Sequence, residues 1–258
     1  MKLSVIIPSF NQARFIEKTF QNLSELKAEL NKTGVSLEVL LFDSCSGEDV
    51  QSIIRNYSGL FDYLEVKKDK GQYDAINKGI ARVTGDYWTW LNTDDLINIK
   101  GCLAIAEILK TNRDIDYIYG DIEVIDEQGS PIRYYYGKAL TLFSLSNISS
   151  SINQPGSFFR RGFTEKTGML KGYNCCFDYE YVLRLLKNNG RVFQLDKVVS
   201  QFRFYSTSKS GGIEYLFVNE QLEISKIYDR KFVSRLTYAL YKRKLKLFVK
   251  SVFKIPFN

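Results

Sequence analysis

The chain has 258 residues and a hydrophobic content of 45%, enough for one large α/β domain or two small ones that bury a core. It contains no histidine, so histidine triads and histidine general bases are excluded and acid–base chemistry falls to carboxylate, Lys, Tyr or Cys groups. The net charge is +7, but residues 230–258 hold nine Lys and Arg and no Asp or Glu, while residues 1–229 hold 27 basic and 29 acidic residues. The end of the chain is therefore strongly basic and the body is near neutral.

Cysteine usage and hydropathy predict a reduced protein without a membrane span. The four cysteines have no CxxC spacing, and the vicinal pair Cys175 and Cys176 cannot form a disulfide without strain. No signal peptide precedes Leu3, and no apolar run reaches the roughly 18 residues of a membrane span. We expect a cytoplasmic protein, with peripheral contact to the inner face of the plasma membrane through its basic end.

The first predicted strand is Leu3–Ile7, a short β-branched run closed by Pro8. A polar loop with Ser9 and Asn11 follows, before the helical pattern that begins at Phe15. Open α/β sheets bind ligands at the carboxyl ends of their strands, where this loop lies. An ordinary strand-to-helix connection is the alternative.

A second buried strand is predicted at Val35–Phe42 and is followed by Asp43. An acid at this edge accepts hydrogen bonds from a ribose in dinucleotide-binding folds. Alternatively, Asp43 caps the predicted helix Val50–Tyr57. Tyr63–Val66 is predicted as a third strand, and it leads into a lysine-rich loop.

Residues 69–95, DKGQYDAINKGIARVTGDYWTWLNTDD, form the densest pattern in the chain. Asp74 and Asn77 share one face of a predicted helix because they are three residues apart. The aromatic run YWTWL then predicts a buried strand, which delivers Asn92, Thr93 and the two acids after them to the edge of the sheet.

Asp94 and Asp95 supply hard oxygen ligands at this edge. Such ligands suit Mg²⁺ or Mn²⁺, and a substrate diphosphate is the usual anion that the metal neutralises. The alternative is that the two acids cap a helix that begins near Ile97.

The middle of the chain predicts a helix at Gly101–Lys110, a strand at residues 114–121 and a hairpin over residues 122–136. The hairpin turns at Gln128–Pro131. The serine-rich segment Ser144–Ser151 is predicted to be a mobile loop or linker.

A further helix is predicted at Phe177–Asn189, with Asp178 in its first turn. The helix dipole favours the ionised form of a carboxyl at this place, which leaves a carboxylate poised for proton transfer. The alternative makes Asp178 an N-cap and Glu180 a surface acid. A closing strand is predicted at Val198–Tyr205.

The basic end predicts an interfacial helix. Its apolar residues recur at three- and four-residue steps and form one stripe: Tyr238, Tyr241, Leu245, Phe248 and Val252. Its cations follow the neighbouring face: Lys242, Lys246, Lys250 and Lys254, with Arg243. Leu247 falls among these lysines and makes the stripe imperfect. The pattern suits an anionic membrane surface, and a helix packed on the domain with a solvated basic face is the alternative.

The segments KGQYDAINKGI, VTGD and WLNTDD together resemble the central signature of family 2 inverting glycosyltransferases with the GT-A fold, of the type that builds bacterial surface polysaccharides. The resemblance runs from Lys2 to about Ser210. It implies an α/β fold with a Rossmann-like mixed sheet flanked by helices, which the basic helical tail follows. It also implies a UDP-sugar or similar nucleotide-sugar donor, a divalent metal, Mn²⁺ or Mg²⁺, and a glycan or lipid-linked acceptor, with no nucleic-acid partner. The implied domain covers residues 1–212, with a nucleotide-sugar half at 1–98 and an acceptor half at 99–212, before the tail at 213–258.

The resemblance assigns roles to the residues that match the family pattern. Asp178, with Arg184 six residues later, takes the place of the catalytic base. Asp94 is the leading metal ligand with Asp95 in support, and Gln154 and Arg184 lie on the acceptor side. For Gln154 a structural amide is the alternative. The implied nucleotide-sugar contacts are Pro8, Ser9, Asn11, Asp43, Asp74, Asn77, Asn92 and Thr93.

The chain departs from the family pattern at two places. Ser44 stands where many relatives have a glycine or a second acid, and Phe204 and Tyr205 stand where many have a histidine that helps to hold the metal or the diphosphate. The remaining candidates for a diphosphate contact are Arg203, Ser206, Ser208 and Lys209.

Two other functions remain open. A sugar-nucleotide nucleotidyltransferase would carry a glycine- and arginine-rich loop after the first strand, where this chain has PSFNQARF. A catalytically inactive, membrane-associated binding module would not need the acids that this chain retains.

Overall fold

A mixed β-sheet carries the candidate site. The computed structural model of the protein describes residues 1–205, 214–228 and 230–253. The strands are β1 (Lys2–Ser9), β2 (Ser36–Asp43), β3 (Tyr63–Val66), β4 (Tyr87–Trp90), β5 (Leu96–Ile97), β6 (Tyr117–Ile125), β7 (Pro131–Tyr135), β8 (Phe158–Arg160) and β9 (Val192–Arg203). The helices are α1 (Ile16–Lys32), α2 (Glu48–Asn56), α3 (Gln72–Ile80), α4 (Ile99–Thr111), α5 (Leu142–Asn147), α6 (Arg161–Thr167), α7 (Phe177–Lys187), α8 (Glu214–Ile227) and α9 (Arg235–Phe253). The strand order is β3-β2-β1-β4-β8-β6-β9-β5, with β7 beside β6.

The first four strands run parallel, so their carboxyl ends share one edge of the sheet. Ser9 at the end of β1 lies opposite Asp43 at the end of β2, and Ile6 lies opposite Trp90 at the end of β4. The side chains of Leu3, Val5 and Ile7 are fully buried, as expected of a parallel strand that is covered on both faces. This arrangement confirms the predicted strands and brings their terminal residues together.

Helices α1 and α4 contribute apolar faces to the core beside the sheet. The buried residues of α1 recur at three- and four-residue steps: Ile16, Phe20, Leu23, Leu26 and Leu30. Helix α4 has Asn98 as its N-cap, whose side chain accepts a hydrogen bond from the Gly101 N–H. The short strand β5 separates Asp95 from this helix, so the alternative in which Asp94 and Asp95 cap it is wrong.

Two predicted segments fold differently. The predicted strand at residues 114–121 and the first arm of the hairpin form one continuous strand, β6, in which eight of nine residues are buried although Asp121 and Glu123 interrupt the apolar sequence. The predicted mobile segment Ser144–Ser151 begins inside helix α5. Thr141 and Ser144 form a reciprocal capping box at the start of that helix, which explains why serine supports a helix here.

The chain divides into two compact units. Unit 1 consists of residues 1–138, 153–170 and 190–204 and includes the whole sheet; unit 2 consists of residues 139–152, 171–189 and 205–258 and includes α5, α7, α8 and α9. In unit 2, α8 and α9 pack together through Val218, Leu222, Leu236 and Leu240. The predicted domain boundaries at residues 98 and 212 stay predictions.

Gly101→Ala tests the close approach of α4 to β9. A Cβ atom at Gly101 would lie 2.1 Å from the Val198 carbonyl oxygen, so the backbone must shift to accept it. The cost of this overlap should outweigh the roughly 1 kcal/mol that alanine gains over glycine in a helix, so we expect the free energy of unfolding to fall, by about 1–3 kcal/mol.

The matched control is Gly162→Ala in α6, where a Cβ atom meets nothing within 4 Å. Thermal and urea unfolding should show equal or higher stability for this variant. Equal unfolding midpoints for Gly101→Ala and the unsubstituted protein would contradict the contact.

Candidate active site

Asp43 is the centre of a hydrogen-bonded cluster at the end of β2. Its Oδ1 atom accepts from the hydroxyls of Ser9, at 2.8 Å, and Ser46, at 2.6 Å. Its Oδ2 atom accepts from the Ser46 N–H, at 2.8 Å, and from Gln51 Nε2, at 2.7 Å. These four bonds fill the acceptor sites of a carboxylate, so a nucleotide that binds Asp43 must displace one of the donors.

The loop after β1 is fastened to the same cluster. The Asn11 N–H donates to Ser46 Oγ at 2.9 Å, and Asn11 Oδ1 accepts from the Gly47 N–H at 3.2 Å. Asn11 has a φ of 50°, a left-handed conformation that asparagine tolerates. Pro8, Ser9, Asn11 and Asp43 are therefore contiguous, as the sequence predicts for a nucleotide-binding edge.

The residues after β4 form a second cluster at this edge. Gln72 Nε2, at the start of α3, donates to Asn92 Oδ1 at 2.6 Å, and Asn92 Nδ2 donates to Asp95 Oδ2 at 3.1 Å. Thr93 is buried, and its carbonyl accepts from the Thr19 hydroxyl at 3.0 Å. The backbone of the TDD turn is thus bound by α1, and the Asp95 side chain is linked to α3 through Asn92 and Gln72.

Asp94 and Asp95 occupy different environments. Asp95 is 1% exposed, and its Oδ1 atom accepts from the Arg203 N–H at 2.9 Å. Burial, and then the negative charge of Asp94, raise the pKa of Asp95 well above its usual value of 3.8. Asp94 is half-buried and lies next to it. Asp94 is therefore the more accessible carboxylate for a cation, and Asp95 is anchored in the protein.

Arg203 is buried beneath this turn, at 1% exposure. Its guanidinium donates to the carbonyls of Asp94, at 3.0 Å, Asp126, at 2.8 Å, and Glu127, at 3.0 Å, and lies over the ring of Phe15. The structure contradicts the predicted diphosphate contact of Arg203, because these carbonyls already bind its guanidinium. The other predicted contacts, Ser206, Ser208 and Lys209, lie outside the described residues.

Three further predicted residues make backbone contacts in unit 1. Asp74 Oδ2 accepts from the Lys70 N–H at 3.2 Å, within the turn that enters α3. Asn77 bonds both backbone groups of Leu170, with each distance at 2.9 Å. Gln154 Nε2 donates to the Trp90 carbonyl at 3.0 Å, which matches the structural-amide alternative. Asn77 and Gln154 thus hold neighbouring loops at this edge.

In unit 2, Asp178 lies in the first turn of α7 and its Oδ1 atom accepts from the Tyr179 N–H at 2.7 Å. Cys176 is the N-cap residue, so the alternative that makes Asp178 the N-cap is wrong. Asp178 is half-buried, whereas most of the helix beside it is buried. The helix therefore presents this carboxylate at its N-terminal turn.

Glu180, described above as a surface acid in the alternative, is fully buried. It pairs with Lys171 at 2.9 Å and with Arg184 at 3.0 Å, and it accepts a hydrogen bond from the Tyr228 hydroxyl. Arg184, predicted on the acceptor side, lies over the ring of Tyr181 and binds Glu180. These contacts tie α7 to the end of α8.

Glu220 of α8 is a residue that the sequence analysis missed. Its carboxylate accepts from the N–H groups of Asn174, at 2.8 Å, and of Cys175 and Cys176, each at 3.0 Å. Burial opposes the charge of Glu220, but the hydrogen bonds outweigh it and lower its pKa below the usual 4.5. Since α7 has no side-chain N-cap of its own, Glu220 supplies that function from another helix.

The ligand atoms of Cys175, Cys176 and Glu220 lie within 4.8 Å of one another, which is close enough to hold a metal ion. However, the Glu220 carboxylate is occupied by backbone N–H groups. The hydrogen bond with Cys175, together with burial, also raises the pKa of Cys176 and disfavours the thiolate that a metal needs. The cluster acts as a helix cap.

The model of the family described as glycosyl transferase family 2 matches residues 4–177. The chain therefore belongs to glycosyl transferase family 2.

Curated relatives include an uncharacterized glycosyltransferase of Rickettsia felis, 27% identical over 57% of this chain and 24% of that protein. A GalNAc(5)-diNAcBac-PP-undecaprenol beta-1,3-glucosyltransferase of Campylobacter jejuni is 27% identical over 54% of this chain and 43% of that protein. The matched part of the chain thus covers less than half the length of either protein. A PGL/p-HBAD biosynthesis glycosyltransferase of Mycobacterium bovis is 24% identical over 90% of this chain and 83% of that protein.

Solved structures confirm the expected GT-A fold. The S. aureus TarS fragment 1–349 in complex with UDP-GlcNAc matches with a TM-score of 0.70 over 99% of this chain and 76% of that chain, at 16% identity. The mannosyltransferase PcManGT from Pyrobaculum calidifontis, in complex with GDP-Man and Mn²⁺, matches with a TM-score of 0.64 over 97% of this chain and 75% of that chain, at 16% identity.

Glu220→Gln tests the cap on α7. The amide replaces one acceptor oxygen by a donor that faces N–H groups, so we expect the variant to lose about 1–3 kcal/mol of stability at pH 7. Because the pKa of Glu220 is lowered in the folded protein, its contribution is present above about pH 4.5 and is lost as the pH falls through the lowered value. The difference in the free energy of unfolding between the variant and the unsubstituted protein should therefore become smaller at acidic pH.

Glu223→Gln, an exposed change on the same helix, is the control and should leave the thermal midpoint unchanged. A Glu220→Gln midpoint that equals the control at pH 7 would remove the capping role.

Proposed function

We propose that this protein is an inverting glycosyltransferase that moves a sugar from a nucleotide-sugar donor, a UDP-sugar, to a hydroxyl of a glycan or lipid-linked acceptor. The pathway we propose is the biosynthesis of surface polysaccharide or cell envelope. The observation that carries the proposal is the edge where β1, β2 and β4 end together, with Asp43, Asn92 and Asp94 on it, in a chain of glycosyl transferase family 2.

The nucleotide would lie along this edge. Ser9, Asn11 and Asp43 offer hydroxyl, amide and carboxylate groups at the ends of β1 and β2, beside Pro8. A ribose hydroxyl or a base N–H can replace the Ser9 or Ser46 hydroxyl as a donor to Asp43. We assign the sugar side to Asn92 and Thr93 after β4, and to Asp74 and Asn77 on α3.

The residues present fit a divalent metal, Mn²⁺ or Mg²⁺. The charge of Asp94 helps to raise the pKa of Asp95, so a dication beside them would relieve repulsion between the two carboxyls. Asp94 would be the protein ligand and Asp95 would support the turn, while the donor diphosphate completes the shell, as is usual for these ions. When bound, the metal would neutralise charge on the departing diphosphate.

Asp178 would act as the general base. It would accept the proton of the acceptor hydroxyl as that oxygen attacks the anomeric carbon from the face opposite the diphosphate. A single displacement of this kind inverts the anomeric configuration. A positioned base contributes about 10²–10⁴-fold to such a step, and Glu220 and Glu180 hold the helix that positions this one.

The reaction would take place at the cytoplasmic face of the plasma membrane, with the protein bound peripherally. In the described part of the chain, no helix is long and apolar enough to cross a bilayer. The name of the Campylobacter relative specifies an undecaprenol-linked substrate, which supports a lipid-linked acceptor for this chain as well.

A nucleotidyltransferase is the second candidate, and family membership weighs against it. Incubation with Mn²⁺ and a panel of sugar nucleotides, with and without added pyrophosphate, separates the two activities. A transferase releases nucleoside diphosphate slowly by donor hydrolysis, whereas a nucleotidyltransferase needs pyrophosphate to release nucleoside triphosphate. Release of nucleoside triphosphate alone would overturn the proposal.

Asp178→Asn tests the base. We expect transfer to fall by about 10²-fold or more, while donor affinity measured by calorimetry changes little, because the base acts on the acceptor proton. The control is Asp49→Asn, since Asp49 also lies in the first turn of a helix and bonds the next N–H. Transfer by Asp178→Asn at the control rate would leave Asp178 with a structural role only.

Asp94→Asn tests the metal ligand. A neutral amide is a poorer ligand for a hard dication, so we expect donor affinity in Mn²⁺ to fall about tenfold, or about 1.4 kcal/mol. The thermal shift produced by Mn²⁺ and donor together should fall with it, while the midpoint of the free protein stays near that of Asp49→Asn. Unchanged Mn²⁺ dependence would exclude Asp94 from the metal site.

A further inference from the structure

Helix α9 buries one face within unit 2. Leu236 and Leu240 are buried and pack with Val218 and Leu222 of α8, and Leu247 packs against the same cluster. Leu247 interrupts the predicted apolar stripe because it belongs to this buried face. The packed-helix alternative therefore describes one side of α9.

A second apolar face of α9 remains exposed. At about 100° per residue, it lies opposite Leu236 and Leu240 on the helix. Its members are Tyr238 (69% exposed), Tyr241 (55%), Leu245 (63%) and Phe248 (58%). Phe232 (92%) and Val233 (87%), just before the helix, are more exposed still. The buried cluster that joins α9 to α8 includes none of these side chains.

Cations border the exposed face. Arg235, Lys242 and Lys246 are exposed along one side of it, and the Lys242 ammonium lies 5.8 Å from the centre of the Tyr238 ring. On the other side of α9, Arg243 pairs with Glu214 and Lys244 lies over the ring of Tyr215, so both contact α8. The side chains of Lys250 and Val252, and all of Lys254, lie outside the described residues.

We propose that the exposed face of α9, with Phe232 and Val233, binds the surface of an anionic lipid bilayer. Aromatic and leucine side chains can enter the boundary between headgroups and acyl chains, while the flanking cations meet the lipid phosphates. A second copy is disfavoured as the occupant, because it would bring a like-charged tail of nine Lys and Arg against this one.

This inference rests on the proposed function and makes it more specific. Unit 2 contains both α9 and α7, the helix of Asp178. Membrane binding through α9 therefore brings the unit that carries the proposed base to the surface where a lipid-linked acceptor is embedded. The bilayer would thus concentrate the acceptor for the reaction.

Co-sedimentation of the full chain with vesicles tests the proposal. The probe is phosphatidylcholine vesicles with about a third phosphatidylglycerol, compared with pure phosphatidylcholine. The protein should bind the anionic vesicles at low salt, bind the neutral ones at least tenfold less, and detach as the Debye length shrinks to about 3 Å near 1 M salt. Equal binding to both kinds of vesicle would overturn the proposed role of the cations. No binding to either kind would overturn the proposed membrane face.

The variant is Leu245→Ser with Phe248→Ser, on the exposed face. We expect it to lose vesicle binding at least tenfold while it keeps the thermal midpoint and the rate of donor hydrolysis. Lys242→Gln with Lys246→Gln should also weaken binding, and Lys18→Gln, at an exposed position of α1, is the charge control.

Donor hydrolysis separates this inference from the proposed function, because it needs no membrane. Donor hydrolysis without vesicle binding would overturn only the proposed membrane face. Vesicle binding without donor hydrolysis would overturn only the proposed glycosyltransferase activity. If the serine variant loses self-association, measured by light scattering, and keeps vesicle binding, a second copy covers the face and the proposal is wrong.

Discussion

The burial of one carboxyl group, that of Asp95, organises the edge on which we place the proposed donor site. It accepts from Asn92 and from the backbone of Arg203, and the Arg203 guanidinium binds the carbonyl of the adjacent Asp94. Through these bonds the end of β4 is joined to β9, and through Gln72 it is joined to the start of α3. A buried carboxyl is costly unless its partners are in place, so the network has one well-satisfied arrangement. That arrangement leaves Asp94 as the carboxylate that a cation can approach.

In unit 2, buried and hydrogen-bonded carboxylates also fix the position of α7, the helix that carries Asp178. Glu220 binds the N–H groups before that helix, and Glu180 joins its first turns to Tyr228 at the end of α8. The two glutamates act at different points, one on the backbone and one on side chains. Helix α8 therefore does more than lead to the basic end of the chain: it holds the N-terminus of α7 in place. This support would hold the base that we propose at Asp178 within hydrogen-bond distance of an acceptor hydroxyl.

Local patterns were sufficient to predict the strands and helices of the sheet region, because burial on both faces of β1 and β2 produces continuous apolar runs. They also placed Ser9, Asp43 and Asn92 at one edge, since parallel strands end together. They did not reveal the carbonyls that bind Arg203, the Tyr228 hydroxyl that binds Glu180 or the N–H groups that bind Glu220, because these partners lie far away in the sequence. A charged residue inside an apolar run indicates that it has a buried polar partner, but the sequence pattern does not show which residue that partner is. The serine-rich segment was predicted as a loop because a reciprocal cap depends on two particular side chains, Thr141 and Ser144.

If α9 binds a membrane as proposed, this one helix would both pack within unit 2 and contact the lipid surface. A period of 3.6 residues allows two apolar faces on α9, and the sequence pattern emphasises the face with the larger side chains. The structure uses the smaller one, Leu236 and Leu240, to bind α8, so the aromatic face lies outside this buried cluster. Exposed aromatic residues bordered by cations are costly in water and favourable at an anionic membrane interface. There the rings enter the boundary of the acyl chains and the ammonium groups lie among the lipid phosphates. The distribution of charge is consistent with the proposed membrane face, because residues 1–229 are near neutral and the positive charge is confined to the end of the chain. A charge confined to one segment orients a protein on a charged surface, whereas a charge spread over the molecule does not.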